Sequence, residues 1–247
     1  MPGRSRTTPV DAGRTALAAQ GALVVAALAV ADPSAPTRCA GWTVRELDRH
    51  LGRVCAGLTG LLAAPSPGPA DTTVAGWAAA LPALARVLDE EARRDGPGLA
   101  TALPDLLNAL EVAPPDTVVE QRTGRHELGD AVLFRLVELV AHGRDLPDPV
   151  VPERTALRAV VKALAGVLAE RAPGRHVEAR IPPYAAVQCV AGPRHTRGTP
   201  PNVVEAEPVA FVELCTGRLT WAEAVADGRV RTWGDRADLS EWLPLLA

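Results

Sequence analysis

The sequence has 247 residues, of which 47% are hydrophobic and 3% aromatic. A chain of this length can form one large domain or two smaller ones, each with a core large enough for independent stability. The formal net charge is −3, and acidic and basic residues are interspersed, so the sequence lacks the basic stripe that binds a phosphate backbone. We therefore expect no nucleic-acid partner.

The cysteines suggest a cellular compartment. Cys39, Cys55, Cys189 and Cys215 lie far apart, and none belongs to a C-x-x-C motif. This spacing excludes a zinc knuckle and a dithiol redox motif. Four free thiols favour a reducing, cytoplasmic location.

The N-terminal segment has two interpretations. Three arginines precede the apolar run 22–31, which ends in Ala-Val-Ala before Asp32 and resembles a secretory cleavage site. Asp11 and Gln20 interrupt that pattern, so we favour the first helix of a bundle over a cleaved signal. The apolar run is shorter than a transmembrane helix needs to be, so we predict no membrane span.

Hydrophobic periodicity predicts a helical first half of the chain. Residues 1–10 have little to bury and are predicted to be a disordered tail. Thr43 and Glu46 form a capping-box pattern that places the start of a helix at Val44. The predicted helices are 11–31, one beginning at Val44, 74–94 with Pro82 as a kink or boundary, 99–110 and 128–142.

A stretch rich in proline and aspartate, residues 145–152, predicts a boundary near residue 150 between a domain at 11–150 and another at 151–247. The second domain begins with a helix and continues with short strand-like runs, so it is predicted to be an α+β unit. The predicted helices are 154–171, 209–216, 220–227 and one from Asp238, and the predicted strands are 177–181, 185–190, 202–205 and 229–233.

Two helices carry residues that can bind a metal. Glu138 and His142 are four residues apart, so their side chains project from one helix face. With His50 from a facing helix, they would supply one oxygen and two nitrogens and leave a tetrahedral position open, as in catalytic zinc sites. Asp48 and Asp145 lie near these ligands in sequence and could orient an imidazole. The spacing alone also fits half-buried histidines bonded to the backbone.

Residues 37–47, TRCAGWTVREL, followed by His50, resemble a signature of mycothiol-dependent maleylpyruvate isomerase-like proteins, which are DinB-like bundles. The segment with Arg135, Glu138, His142 and Asp145 is similar to that family's second signature. The resemblance covers about residues 11–147. It implies that His50, Glu138 and His142 bind zinc and that the chain uses the low-molecular-weight thiol mycothiol.

Residues 178–247 resemble a bacterial sterol-carrier-like domain, on the segments IPPYAAVQC at 181–189, GPRHTRGTPPNVVE at 192–205 and GRLTW at 217–221. This resemblance implies an α/β sandwich that can enclose an apolar cavity, with a lipid as one candidate ligand. Arg194, His195 and Arg197 could hold an anionic substrate, because guanidinium groups pair with carboxylates. We predict Arg194 and Arg197 as catalytic residues, against the alternative of a solvated turn.

The predicted fold is therefore α+β, a DinB-like four-helix bundle followed by a smaller sterol-carrier-like α/β sandwich domain. The leading functional hypothesis is a zinc-dependent mycothiol S-transferase or isomerase acting on a small electrophilic or acidic substrate. The alternative is a non-enzymatic carrier of a lipid or other hydrophobic ligand with a structural metal. A third hypothesis is a regulatory module in which Cys39 and Cys55 sense redox state.

Overall fold

The computed structural model describes residues 10–192 and 202–246. The chain divides into two compact units. Within the described residues, the first unit comprises the chain up to Thr73 together with Ala83–Ala159, and the second comprises Val74–Pro82 together with the chain from Val160. The boundary at residue 150 stays a prediction from the sequence. The α+β fold class is confirmed.

The first unit is built on a helical bundle, in which α2 packs against α4 and α1 packs against α5. Fourteen of the sixteen residues of α5 are buried, which makes it the central helix. The predicted helices are all present, and the third continues through Pro82. The helices in the first half of the chain are α1 Val10–Val30, α2 Val44–Ala63, α3 Val74–Ala92, α4 Leu99–Val112 and α5 Leu128–Gly143, and residues Val74–Pro82 of α3 belong to the second unit.

Helix α2 begins where its capping box predicts. The Glu46 carboxylate accepts hydrogen bonds from the Thr43 backbone N–H, at 2.6 Å, and from the Thr43 hydroxyl, at 2.7 Å. These contacts satisfy a donor that the helix itself leaves unpaired. The apolar stripe that includes Leu47 and Leu51 is buried, and it carries His50 into the interior with it.

A hairpin that the sequence analysis did not predict lies between α4 and α5. Strands β1 Val118–Gln121 and β2 Gly124–Glu127 pair antiparallel across a two-residue turn. Gly124 adopts φ +119°, a conformation that favours glycine. The strands are short and mostly polar, so they lack the long apolar alternation by which strands are recognised.

Helix α6 Arg154–Arg171 leads into the second unit, whose four-stranded sheet has the order β4-β3-β5-β6. Strand β3 pairs antiparallel with β4 and parallel with β5, and β5 pairs antiparallel with β6. Apart from a predicted final helix that is a single 3-10 turn, Ser240–Trp242, each predicted element is present. The elements are β3 Val177–Ile181, β4 Ala185–Cys189, β5 Asn202–Ala206, α7 Pro208–Cys215, α8 Trp221–Ala226 and β6 Val230–Trp233.

The length of helix α1 contradicts the argument that the apolar run near the N-terminus is too short to cross a membrane. The apolar run 22–31 is part of a 21-residue helix that starts at Val10, and its most apolar 18-residue window has a mean hydropathy of 1.5. By length and composition α1 could therefore cross a membrane. One third of that window is buried inside the protein, and core helices and signal sequences meet the same criterion. The absence of a membrane span stays a prediction.

Candidate metal centre

A tight turn before α2 places the side chains of Cys39 and Trp42 next to the predicted ligand His142. The Trp42 N–H donates to the Cys39 carbonyl at 3.0 Å, and Gly41 adopts φ +77° at the third position of the turn. A turn with a left-handed third residue favours glycine there. The backbone N–H of Arg38 donates to the Asp145 carbonyl at 2.9 Å, which ties this segment to the end of α5.

The three predicted ligands come together. Nε2 of His50 lies 3.1 Å from Oε2 of Glu138, and Nε2 of His142 lies 3.2 Å from the same oxygen. The ligand atoms of all three residues lie within 4.8 Å of one another. Helix α2 thus supplies one imidazole, and α5 supplies a carboxylate and the second imidazole from one face.

Asp145 holds the far side of the His142 ring. Its Oδ2 lies 2.8 Å from Nδ1 of His142 and 3.0 Å from Sγ of Cys39, and its side chain is 1% exposed. A buried carboxylate at Nδ1 fixes which nitrogen carries the proton and directs Nε2 toward Glu138. Asp145 therefore orients an imidazole as the sequence suggested.

Asp48 does not have the role suggested for it. Its Oδ1 accepts the backbone N–H of Leu99 at 2.8 Å, so it caps the start of α4. The reason is its place on α2, two residues before His50 and therefore on a different helix face. Asp48 stabilises an element rather than the ligand cluster.

Trp42 closes one side of the cluster. Its ring lies 5.1 Å from the His50 ring and 6.1 Å from the His142 ring, nearly parallel to the latter at 17°. The indole N–H donates to Oδ1 of Asp89 at 2.7 Å, which fixes the ring. Trp42 is 9% exposed, so it shields both imidazoles from water. The sequence motif contains this residue, but its spacing does not indicate this role.

The charge states of the ligands suit a cation. Burial lowers the pKa of His50, although the hydrogen bond to Glu138 opposes this effect. Burial alone would raise the pKa of Glu138, but hydrogen bonds to His142 and His50 outweigh it and hold that pKa well below its usual range. A neutral imidazole and an ionised carboxylate are the forms that bind metals.

The geometry also fits a metal ion. His142 lies between two carboxylates, with Asp145 at Nδ1 and Glu138 at Nε2. The hydrogen bond between Nε2 and Glu138 needs a proton on Nε2, and a cation held between the two atoms would take the place of that proton. Nitrogen and oxygen ligands of tetrahedral zinc lie about 3.4 Å apart, given bonds of about 2.0 to 2.1 Å. The separations of 3.1 and 3.2 Å are close to this value. His50, Glu138 and His142 could therefore hold zinc and leave one position open.

The other predicted residues have different outcomes. Arg194 and Arg197, predicted to be catalytic, lie outside the described residues, as does His195. Cys55 is buried, and burial raises the pKa of its thiol to about 11, which does not suit a redox-sensitive thiolate. Cys39 is partly exposed and contacts Asp145, a contact that sequence spacing did not reveal.

A helical bundle with this three-ligand cluster, joined to an α+β unit, defines the class of protein. Residues 14–147 match the sequence profile described as the mycothiol maleylpyruvate isomerase N-terminal domain. Residues 153–245 match the profile described as bacterial SCP ortholog. The chain therefore belongs to the mycothiol maleylpyruvate isomerase N-terminal domain family, and both sequence resemblances are confirmed.

Solved structures show the same fold. The crystal structure of a mycothiol-dependent maleylpyruvate isomerase is 13% identical, with a TM-score of 0.62, and the match covers 94% of this chain and 95% of that one. A histidine-to-alanine mutant of that enzyme gives a TM-score of 0.61 at the same identity and coverage. At this identity the likeness establishes the fold. A search of curated proteins found no match.

Proposed function

We propose that this protein is a zinc-dependent mycothiol S-transferase or isomerase, which either attaches mycothiol through its sulfur to a small electrophilic or acidic substrate or uses the thiol to isomerise that substrate. The observation that supports this proposal most directly is the cluster of His50, Glu138 and His142, which offers two nitrogens and one oxygen to one ion. Three protein ligands with a fourth position open are typical of catalytic rather than structural zinc. Family membership supports the use of a thiol.

The three residues of the cluster and two neighbouring residues have different roles in this proposal. His50, Glu138 and His142 hold the ion, Asp145 keeps the proton on Nδ1 of His142, and Trp42 excludes water from one side. When bound, zinc would supply a Lewis acid that keeps the cofactor sulfur as a thiolate, a competent nucleophile at neutral pH.

The described part of the second unit, which leaves out residues 193–201, gives the lipid-carrier alternative little support. The apolar pocket between the sheet and α7, lined by residues such as Ala179, Val204 and Phe211, has a volume of about 10 Å³. That volume accommodates about one water molecule. At this place a lipid would require the sheet and helix to separate, so we favour the enzymatic function.

The proposal includes a cytoplasmic location. Cys39, Cys55, Cys189 and Cys215 are all free thiols in the structure. Free thiols and a low-molecular-weight thiol cofactor are both typical of a reducing compartment.

Elemental analysis tests the metal site first. We expect about one zinc per purified wild-type chain and little in a His50→Ala/His142→Ala double mutant, because zinc requires three protein ligands to be held tightly. The zinc-loaded chain should then bind mycothiol, and the double mutant should not. Zinc at an equal level in both proteins would refute the ligand set.

A matched control separates ligand loss from loss of folding. His126 is fully buried in the hairpin, where Thr123 lies 2.8 Å from its Nε2, and it is not part of the cluster. His126→Ala removes a buried imidazole of the same unit and should retain zinc. If this variant also loses zinc, the double mutant's loss reflects unfolding and does not support the site.

A further inference from the structure

A cleft on the surface of the bundle lies outside the metal centre. It has a volume of about 150 Å³ and opens between α1, α2 and α4. None of its lining residues is a proposed metal ligand. They are Val25, Leu28, Ala29, Asp48 and Ala100. A cavity of about 150 Å³ can hold a molecule the size of benzene, so the cleft has room for a ligand of about six non-hydrogen atoms.

Asp48 gives this cleft a negative charge. Its Oδ1 accepts the Leu99 backbone N–H, and Oδ2 has no hydrogen-bond or ion-pair partner within residues 10–192 and 202–246. The neighbouring Arg49 pairs with Asp95 and leaves Asp48 without a cation. The Asp48 side chain is partly exposed and Oδ2 is not an enclosed atom, so a ligand in the cleft can reach this oxygen.

The rest of the lining is hydrocarbon, which restricts the chemistry of the ligand. An anion would meet only the negative charge of Asp48. A calcium ion would find one carboxylate, whereas it takes about six to eight oxygen ligands. A neutral apolar molecule would desolvate the carboxylate without giving it a partner, which is costly. A ligand with one positive charge and a short hydrocarbon chain satisfies both parts of the cleft.

We propose that the cleft binds a small primary aliphatic amine in its ammonium form, with the ammonium group at Oδ2 of Asp48 and the alkyl chain against Val25, Leu28 and Ala100. An ammonium group offers three N–H donors, and its hydrogen bond to a carboxylate is charge-assisted and therefore stronger than a neutral one. The site does not depend on the proposed catalysis, because its occupancy can be measured with or without zinc.

A purely structural role for Asp48 makes a different prediction. The cap of α4 uses only Oδ1. Asparagine also carries a side-chain oxygen that can accept the Leu99 N–H, and it caps helices about as well as aspartate. Asp48→Asn therefore retains the cap and removes the negative charge. If Asp48 serves only as a cap, this substitution leaves the affinity for amines unchanged.

NMR titration of the full-length protein with isopentylammonium and with its uncharged analogue, isopentanol, separates the two roles. At low ionic strength we expect the wild type to bind the ammonium ion about tenfold more tightly, the effect of one charge-assisted hydrogen bond. The methyl resonances of Val25 and Leu28 should shift. Asp48→Asn should weaken ammonium binding about tenfold and leave alcohol binding unchanged. Asp105→Asn, at an exposed position of α4, is the matched control and should bind both ligands as the wild type does.

A second variant tests the cleft itself. Ala100 is exposed at the start of α4, and Ala100→Leu fills the cleft with a larger side chain. This variant should weaken the binding of both ligands, and it keeps the test decisive if Asp48→Asn does not fold. Unchanged affinities in folded Ala100→Leu would show that the ligands bind elsewhere.

Three other outcomes overturn the amine site. They are failure of the wild type to prefer the ammonium ion, unchanged ammonium affinity in folded Asp48→Asn, and an equal loss of affinity in Asp105→Asn. The last would mean that the amine binds any acidic surface. Titration of the metal-depleted protein should give the same ammonium affinity as the zinc-treated protein, so failure of the metal site and failure of the amine site are distinguishable.

Discussion

Individual charged residues inside the first unit differ in how their burial is compensated. Asp145 is 1% exposed and contacts His142 and Cys39. Arg135 donates to two neutral oxygens. Asp130 is 8% exposed, and burial, with a smaller contribution from Glu127, raises the pKa of its carboxyl to about 6. The first turn of a helix normally favours a negative charge, so burial outweighs the helix dipole at Asp130.

The raised pKa of Asp130 makes folding stability depend on pH. Because the folded-state pKa lies above the ordinary value of 3.8, the folded protein holds this proton more tightly than the unfolded chain does. The associated stability is fully present below pH 3.8 and is lost as the pH rises through about 6. We expect Asp130→Asn to raise the free energy of unfolding by about 1 kcal/mol at pH 8, after allowance for solvent screening, and by little at pH 4.

Urea unfolding at both pH values measures this effect. Asp116→Asn, at an exposed position of the same unit, is the control and should change stability little at either pH. An equal gain from Asp130→Asn at pH 4 and pH 8 would show that the amide improves packing and that ionisation of Asp130 costs nothing.

The metal ligands show how far residue-level reasoning from the sequence extends. Helical spacing predicted that Glu138 and His142 share a face, since four residues make about one turn. The contact of His50 with Glu138 joins residues 88 positions apart, and no local pattern determines such a contact. The resemblance of the two motifs to the family's signatures predicted that His50 and Glu138 bind the same ion. The bonding of Arg135 depends on Val54 and Gln121, which the sequence does not associate with it.

Among the elements, α4 illustrates a cap supplied from another helix. Its N-cap residue, Gly98, has no side chain to accept a helix N–H, and Asp48 of α2 accepts the Leu99 N–H instead. A Cβ on Gly52 would lie 2.1 Å from the Pro97 carbonyl oxygen, and a Cβ on Gly98 would lie 2.4 Å from Oδ2 of Asp48. The two glycines thus permit the close approach that lets Asp48 act as the cap.

We expect Asp48→Ala to destabilise the protein by about 1 kcal/mol, the usual cost of losing a helix cap. Zinc content should be unchanged, because Asp48 does not contact the ligand cluster. Chemical unfolding and elemental analysis of the same sample test both statements. Asp105→Ala, on an exposed position of α4, is the control. If folded Asp48→Ala loses zinc, Asp48 helps to orient an imidazole, as its place in the sequence first suggested.

The hairpin shows why some elements could not be predicted while long helices could. Helices such as α5 and α6 have repeated apolar positions over four or more turns, and their bounds were predicted to within about one residue. Strands β1 and β2 have four residues each. Two signals could have indicated a hairpin. They are the consecutive valines Val118 and Val119, which favour a strand, and the two residues that separate Gln121 from Gly124.

At the scale of the whole molecule, the proposed metal would connect elements that are distant in the chain. His50 is on α2, and Glu138 and His142 are on α5, so an ion shared by them links two helices of the bundle core. The unfolded chain cannot hold these ligands in place, so an ion that binds the folded state selectively adds its binding free energy to stability. Metal occupancy and thermal stability should therefore change together.

We expect zinc to raise the melting temperature of the metal-depleted protein by about 5 to 10 °C. An excess of free zinc of about 100-fold over its dissociation constant contributes about 2.7 kcal/mol, and each kcal/mol shifts the transition of a protein this size by about 2 to 4 °C. The His50→Ala/His142→Ala variant should show no shift in differential scanning calorimetry, and Arg135→Met should show the full shift, because Arg135 is not a ligand. A shift of equal size in the double mutant would mean that zinc stabilises the protein through other groups, such as the partly exposed Cys39, and would remove the link between α2 and α5 as its cause.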